Sequence, residues 1–320
     1  MPTPSTPARR LPRLRQRWSG QALRKCHAGF IRSLSTKRPE TRGTYERALR
    51  SFLRWSDVRG GVRFTEEDIR RYKRHLERRL GLSPVSVSTY LTALRRFAGY
   101  LVAHGLLAEN PAASVPGNAR PRSHVRRALS ALEAHRLVSA VQGTAERELR
   151  DAAMLRLMLS CGLSDVEVVR ADVGDFRRTG DHGVLIVQGK GHRRKDMRVG
   201  VPPEALPALR AYLASRGAVR AGDPLFVSAG NSSRGRRMTT RAVRDRINMY
   251  LEMAGLRTPE NRAQVTAYSL RHTAAALLAG SGATADEIRR RMRLGTLETA
   301  HLYIQSSQTA PTTDSTADSR

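Results

Sequence analysis

Only one stretch of the 320 residues reads clearly as β-structure, and most of the patterned sequence around it reads as helix. Val184–Gln188 (VLIVQ) and Met197–Pro202 (MRVGVP) are runs of branched apolar residues separated by GKGHRRK, the pattern of a hairpin with a basic tip. An isolated hairpin is marginal in water, so it needs apolar helix faces to cover it. The expected fold is mainly α with a small β-hairpin or sheet in the second half.

Helical spacing divides the rest. Thr41–Trp55 places Tyr45, Leu49 and Phe52 on one face, and Thr65 caps a segment with Ile69, Tyr72 and Leu76 inward. Ser83-Pro84 then opens a helix carrying Tyr90, Leu91, Leu94, Phe97 and Leu101, which Gly105 stops before Asn110-Pro111. These segments predict a helical domain over 21–115. PGNARPRSHVRR, residues 116–127, mixes Pro, Gly and basic residues without apolar periodicity and reads as a linker. A second domain is expected over 128–306, beginning with a helix capped near Ser130 and continuing through two helices broken at Gly162, the hairpin and further helices. Residues 1–20 read as a disordered basic arm and 307–320 as a polar, disordered tail.

Charge narrows the class of partner. Lys and Arg number 57 against 28 Asp and Glu, for a formal charge of +29. A surface with that field favours a polyanion. A membrane partner is not expected, because no run of about 18 apolar residues occurs and the arginine-rich start lacks an apolar core. The two cysteines, Cys26 and Cys161, are too few for a disulfide framework or a zinc site, which points to the cytoplasm.

The chemistry is concentrated in Ala267–Gln305. An apolar helix carries Arg271 near its start, a Gly-Ser-Gly turn follows, Thr284-x-x-Glu287 forms a capping box, and a short last element ends at Tyr303. A tyrosine hydroxyl can attack a phosphodiester while an arginine fork neutralises the developing charge, so the pair suits phosphoryl transfer to a protein side chain.

SLRHTAAALLA, the Gly-rich turn and IRRRMRLGTLETAHLYI together resemble the catalytic segment of the tyrosine recombinase (phage integrase) family. TYERALRSFLRW, TEEDIRRY and SVSTYLTALRRFAGYLVAHGLLAENPA are similar to that family's core-binding domain, and GKG with its following basic residues is similar to its catalytic lysine hairpin. The resemblance spans roughly residues 41–305. It implies a helical core-binding domain followed by a recombinase-type catalytic domain. Tyr303 would be the nucleophile that forms a 3′-phosphotyrosine, Arg271 a clamp on the scissile phosphate, and Lys190 the proton donor to the 5′ oxygen. It also implies double-stranded DNA as partner, a homo-oligomer or mixed oligomer on that DNA, a nucleoid-associated location, and no metal or small-molecule cofactor. Arg47, Lys73, Arg95 and Arg96, read as facing outward, and the cluster Arg234, Arg236 and Arg237 are the expected phosphate contacts.

Three positions depart from the family pattern. The first arginine is replaced by Ser164, a histidine by Tyr268, whose phenol is still a candidate phosphate donor, and a histidine or tryptophan by Leu294. Losing one transition-state donor costs on the order of 10²–10³ in rate, and an arginine on a transferring phosphoryl group is worth roughly 10³–10⁵. Two readings follow: a recombinase or integrase of impaired activity, and a catalytically silent DNA-binding regulator or inactive partner subunit.

Overall fold

Most of the helices begin where a side chain takes up the first unpaired N–H groups. The computed structural model describes residues 17–118, 126–189, 192, 194–230 and 233–308. The chain divides into two units, Met1–Arg122 and Ser123–Arg320.

In the first unit α1 (Gly20–Ser33), α2 (Pro39–Val58), α3 (Glu66–Arg78) and α4 (Pro84–Ala103) surround one core. Ser19 caps α1, Thr65 and Asp68 form a reciprocal capping box on α3, and Ser83 caps α4. The latter two are the starts that the sequence marks. Ile69, Tyr72 and Leu76 are buried, as their spacing requires, and Phe52 meets Tyr72 edge to face at 5.1 Å. Trp18 pairs with Val62 through two main-chain hydrogen bonds of 2.7 and 3.3 Å, so the ordered chain already includes residues read as arm. Residues 1–16 of that arm lie outside the described residues.

One surface assignment is corrected. Arg95 is turned partly inward, where Nε donates to the Ala112 carbonyl at 3.1 Å and an Nη to the Val115 carbonyl at 3.0 Å. Lys73 donates to the Pro116 carbonyl at 3.1 Å. Both cations hold the segment that follows α4, whereas Arg47 and Arg96 are exposed.

The second unit contains α5 (Ala131–Ser139), α6 (Glu146–Ser160), α7 (Asp165–Arg170), strands β1 (Phe176–Thr179), β2 (His182–Val187) and β3 (Met197–Val201), then α8 (Leu206–Ser215), α9 (Thr240–Met253), α10 (Ala267–Gly280), α11 (Ala285–Arg291) and α12 (Leu297–Gln308). The expected hairpin is the β2–β3 pair of a three-stranded antiparallel sheet ordered β1-β2-β3. Leu185 and Val187 on β2 point inward with Val199 and Val201 on β3 and join the core built on α6, α8 and α9. Asp151 of α6, fully buried, accepts from its neighbour Arg150 and from Arg246 and Tyr250 of α9, which ties the two helices together. A smaller cluster, Ala274, Ala275, Ile288, Met292, Ala300 and Tyr303, joins α10, α11 and α12.

The chain enters this unit against α10. The Arg127 N–H donates to the Gln264 carbonyl at 3.0 Å, and the Leu129 N–H donates to the Thr273 hydroxyl at 2.8 Å.

Candidate active site

Helix α10 starts from Thr266, whose hydroxyl accepts from Tyr268 N while Ser269 returns a bond to Thr266 N. This start directs Arg271 and His272, consecutive in sequence, into the unit, and both are buried. Tyr303 on α12 lies 4% exposed, and its hydroxyl is 2.9 Å from Nδ1 of His272. Burial raises the Tyr303 pKa above the ordinary phenol value, with the nearby Tyr268 adding to the rise and Arg271 opposing it. Tyr303 therefore stays a protonated phenol at neutral pH. The ring of Tyr268, at the α10 start, stands edge-on to His272 at 4.9 Å, under the guanidinium of Arg126. Tyr268 is 41% exposed.

Arg271 extends to the α6–α7 turn. One Nη donates to the Gly162 carbonyl at 2.6 Å and to Glu167 Oε2 at 3.1 Å, and the other donates to the Met292 carbonyl. Gly162 has φ +58°, and a Cβ there would lie 2.4–2.7 Å from the end of Met292, so only glycine presents that carbonyl without displacing its neighbour.

Ser164 lies two residues on and is the N-cap of α7. Its N–H and hydroxyl donate to Glu167 Oε2 at 2.7 and 2.9 Å, and its Oγ accepts from Glu167 N at 3.3 Å. Its polar groups are thus turned to its own helix start. Leu294 is half-buried against the α10–α12 cluster.

A second guanidinium occupies the same place. Arg293, in the turn between α11 and α12, is 9% exposed and takes φ +52°, a left-handed backbone that favours glycine. Its Nε donates to Glu167 Oε1 at 2.6 Å, one Nη to Glu167 Oε2 at 3.2 Å and to the Gly162 carbonyl at 2.8 Å, and the other Nη to the Arg291 carbonyl at 2.6 Å. Burial pushes the Glu167 carboxyl up, but the Arg293 hydrogen bond and the charges of Arg293 and Arg271 bring it below the usual range. Glu167 is a carboxylate at neutral pH.

Sequence reasoning named Tyr303, Arg271 and Tyr268, and the structure brings them to one end of α10. It did not single out His272, Glu167 or Arg293. The signal for Glu167 was the Ser164-x-x-Glu167 capping pattern, and no local pattern separates Arg293 from its arginine neighbours 289–291. Lys190 lies outside the described residues. Lys195, further along the same β2–β3 connection, donates to Asp172 and Asp175, each at 2.5 Å. In the basic loop Arg234, Arg236 and Arg237 are all exposed, and Arg237 also donates to the Val169 and Ala171 carbonyls and to Asp172. Among the described residues no cluster of acidic, His or Cys side chains suits a metal ion, and no helix is long and apolar enough to cross a membrane.

A helical unit followed by a mainly helical one with a small sheet, in which a buried tyrosine meets His272 and two arginines share Glu167, defines a tyrosine recombinase architecture. Residues 127–309 match the sequence model of the Phage integrase family, and residues 23–104 match that of the phage integrase N-terminal SAM-like domain. The chain belongs to the phage integrase family of tyrosine recombinases. It is 30% identical over 279 residues to tyrosine recombinase XerC of Chromohalobacter salexigens, covering 86% of this chain and 89% of the relative. It is 30% identical over 270 residues to tyrosine recombinase XerD of Pseudomonas aeruginosa, covering 82% and 85%. Its fold is similar to that of the XerH site-specific recombinase bound to palindromic difH substrate in a post-cleavage complex, with TM-score 0.70, 17% identity and coverage of 91% and 82%. It is also similar to a lambda integrase dimer bound to a COC′ core site, with TM-score 0.63, 14% identity and coverage of 88% and 94%.

Proposed function

We propose that this chain is a site-specific recombinase that cuts and rejoins double-stranded DNA through a 3′-phosphotyrosine on Tyr303. The observation that carries the reading is the Tyr303 hydroxyl at 2.9 Å from His272, on a helix packed against the one that carries Arg271. In the forward step the Tyr303 oxygen bonds to phosphorus and the bond from phosphorus to the 5′ oxygen breaks. The phenolic proton passes to His272 Nδ1, and the leaving 5′ oxygen takes a proton from Lys190. Rejoining reverses each transfer, so the bond energy is conserved and no cofactor is needed.

Arg271 clamps the phosphate with the N–H groups it does not already use, and the Tyr268 hydroxyl adds a donor at the mouth. Arg47, Arg96, Arg234 and Arg236 are exposed cations suited to the DNA backbone. Lys73, Arg95 and Arg237 make internal bonds and contribute mainly by holding loops. The lambda integrase dimer on its core site supports action as an oligomer on DNA, formed with copies of this chain or with a second recombinase.

The second reading, a silent DNA-binding regulator or inactive partner subunit, is favoured by one feature. Ser164 caps α7 and brings no charge, and Leu294 brings no polar group. A suicide-substrate trap separates the two readings. Nicked duplexes drawn from DNA flanking the gene are incubated with the protein, with Tyr303→Phe as control. A covalent band that the control lacks is the expected result; sequence-preferring binding without a band overturns the catalytic reading in favour of the silent one.

A further inference from the structure

The departure at position 164 removes a guanidinium that phosphoryl transfer needs, yet the structure contains two guanidinium groups at this place. We propose that Arg293 is the second guanidinium of the scissile-phosphate site, standing in from the α11–α12 turn for the arginine that position 164 lacks. The assignment rests on the recombinase reading above and deepens it.

Three observations converge. The Arg293 fork and the Ser164 hydroxyl touch the same oxygen, Glu167 Oε2, at 3.2 and 2.9 Å, so the fork lies immediately beside the substituted position. Arg293 and Arg271 both donate to the Gly162 carbonyl, at 2.8 and 2.6 Å, so the two forks lie side by side. Finally, Arg293 holds a left-handed backbone at φ +52°, a conformation that glycine would adopt without penalty. A non-glycine residue in such a conformation is a pointer to function when its side chain is held in a site, as here.

The charge and hydrogen-bond count agree. Two arginines against the single carboxylate of Glu167 leave this group one positive charge in excess, as an anionic ligand requires. A guanidinium has five N–H groups. Those that Arg271 directs to Gly162, Glu167 and Met292 leave it two, on Nε and Nη2. Those that Arg293 directs to Glu167, Gly162 and Arg291 leave it one, on Nη1. Glu167 fixes both forks before the phosphate arrives, which is the preorganisation that electrostatic catalysis relies on. Arg293 neither gains nor loses a proton in the reaction; it stabilises charge on the non-bridging oxygens.

The test compares wild type, Arg293→Gly, Arg293→Lys and the double variant Ser164→Arg, Arg293→Gly in the nicked-duplex assay. Duplex affinity and melting temperature are measured in parallel. One set of substrates carries an uncharged methylphosphonate at the scissile position. On the ordinary phosphate, Arg293→Gly is expected to form the adduct about 10²–10³ more slowly, with Arg293→Lys intermediate and the double variant restored toward wild type. On the methylphosphonate the gap between wild type and Arg293→Gly is expected to shrink to a few-fold, because the charge to be stabilised is gone; a purely structural role would leave the gap unchanged. Equal rates for wild type and Arg293→Gly on the phosphate, or an equal loss on both substrates, overturns the assignment. An adduct from the double variant but none from wild type overturns Arg293 and leaves the family chemistry intact. No adduct from either removes the catalytic reading and the Arg293 assignment that rests on it.

Discussion

Glu167→Gln is the most informative single perturbation, because five donors from three segments meet on that carboxylate. Ser164 contributes N–H and hydroxyl at 2.7 and 2.9 Å, Arg271 an Nη at 3.1 Å, and Arg293 Nε and Nη at 2.6 and 3.2 Å. Glutamine keeps the shape and one carbonyl acceptor but removes the charge, leaving two buried guanidinium groups uncompensated. Breaking a buried pair from one side costs about 3–5 kcal/mol. For a unit of this size each kcal/mol shifts the midpoint by about 2–4 °C, so a fall of roughly 6–20 °C is expected. Differential calorimetry on the full chain is the assay. Tryptophan fluorescence is an internal control, because Trp18 and Trp55 both lie in the first unit and should not move. Adding Arg293→Gly to Glu167→Gln removes one stranded charge and a left-handed residue, so the double variant should melt at least about 2–4 °C above Glu167→Gln alone. A Glu167→Gln midpoint within about 2 °C of wild type, or a double variant as unstable as the two losses summed, would refute the account of this cluster.

Other measurements bear on neighbouring claims. Because Glu167 has a depressed pKa when folded, its contribution is complete above the unfolded carboxyl value near about 4.3 and is lost as pH falls through the folded value. The melting gap between wild type and Glu167→Gln should therefore narrow below about pH 4, and a gap constant from pH 7 to 3 would contradict this. His272→Phe should slow adduct formation by about 10²–10⁴ while leaving duplex affinity intact, and an unchanged rate would remove His272 as proton acceptor. Arg96→Ala should lower the salt slope of binding by about one and leave the melting point alone. Arg95→Ala, which breaks two bonds to carbonyls, should cost about 1–3 kcal/mol of first-unit stability, followed by fluorescence. The reverse pattern in these two variants would exchange their roles.

What could be read from the sequence follows the range of the forces involved. The starts of α3, α5 and α11 were legible because Thr65, Ser130 and Thr284 each cap through a partner three residues away. Tyr303 and Arg271 could be singled out because phosphoryl transfer to a tyrosine calls for both residue types and one segment carries them. Strand β1 was not, since FRRT carries two arginines and is held as a strand only by pairing with β2. The inward turn of Arg95 was hidden because its acceptors, at Ala112 and Val115, follow 17 and 20 residues later. Arg293 was hidden for a related reason. Its partners Gly162 and Glu167 are 131 and 126 residues away, and nothing local tells a buried fork from a solvated one.

The two main-chain donors of the entering segment, Arg127 to Gln264 and Leu129 to Thr273, have a mechanical consequence. One seizes the approach to α10 and the other its middle, on either side of Arg271 and His272. A pull on residues 126–129 therefore reaches α10 through two bonds of its own, alongside the Arg127–Glu133 ion pair and the burial of Leu129 in the core. A chain shortened to begin at residue 130 would lose both attachments, and α10, which carries Arg271 and His272, would slacken.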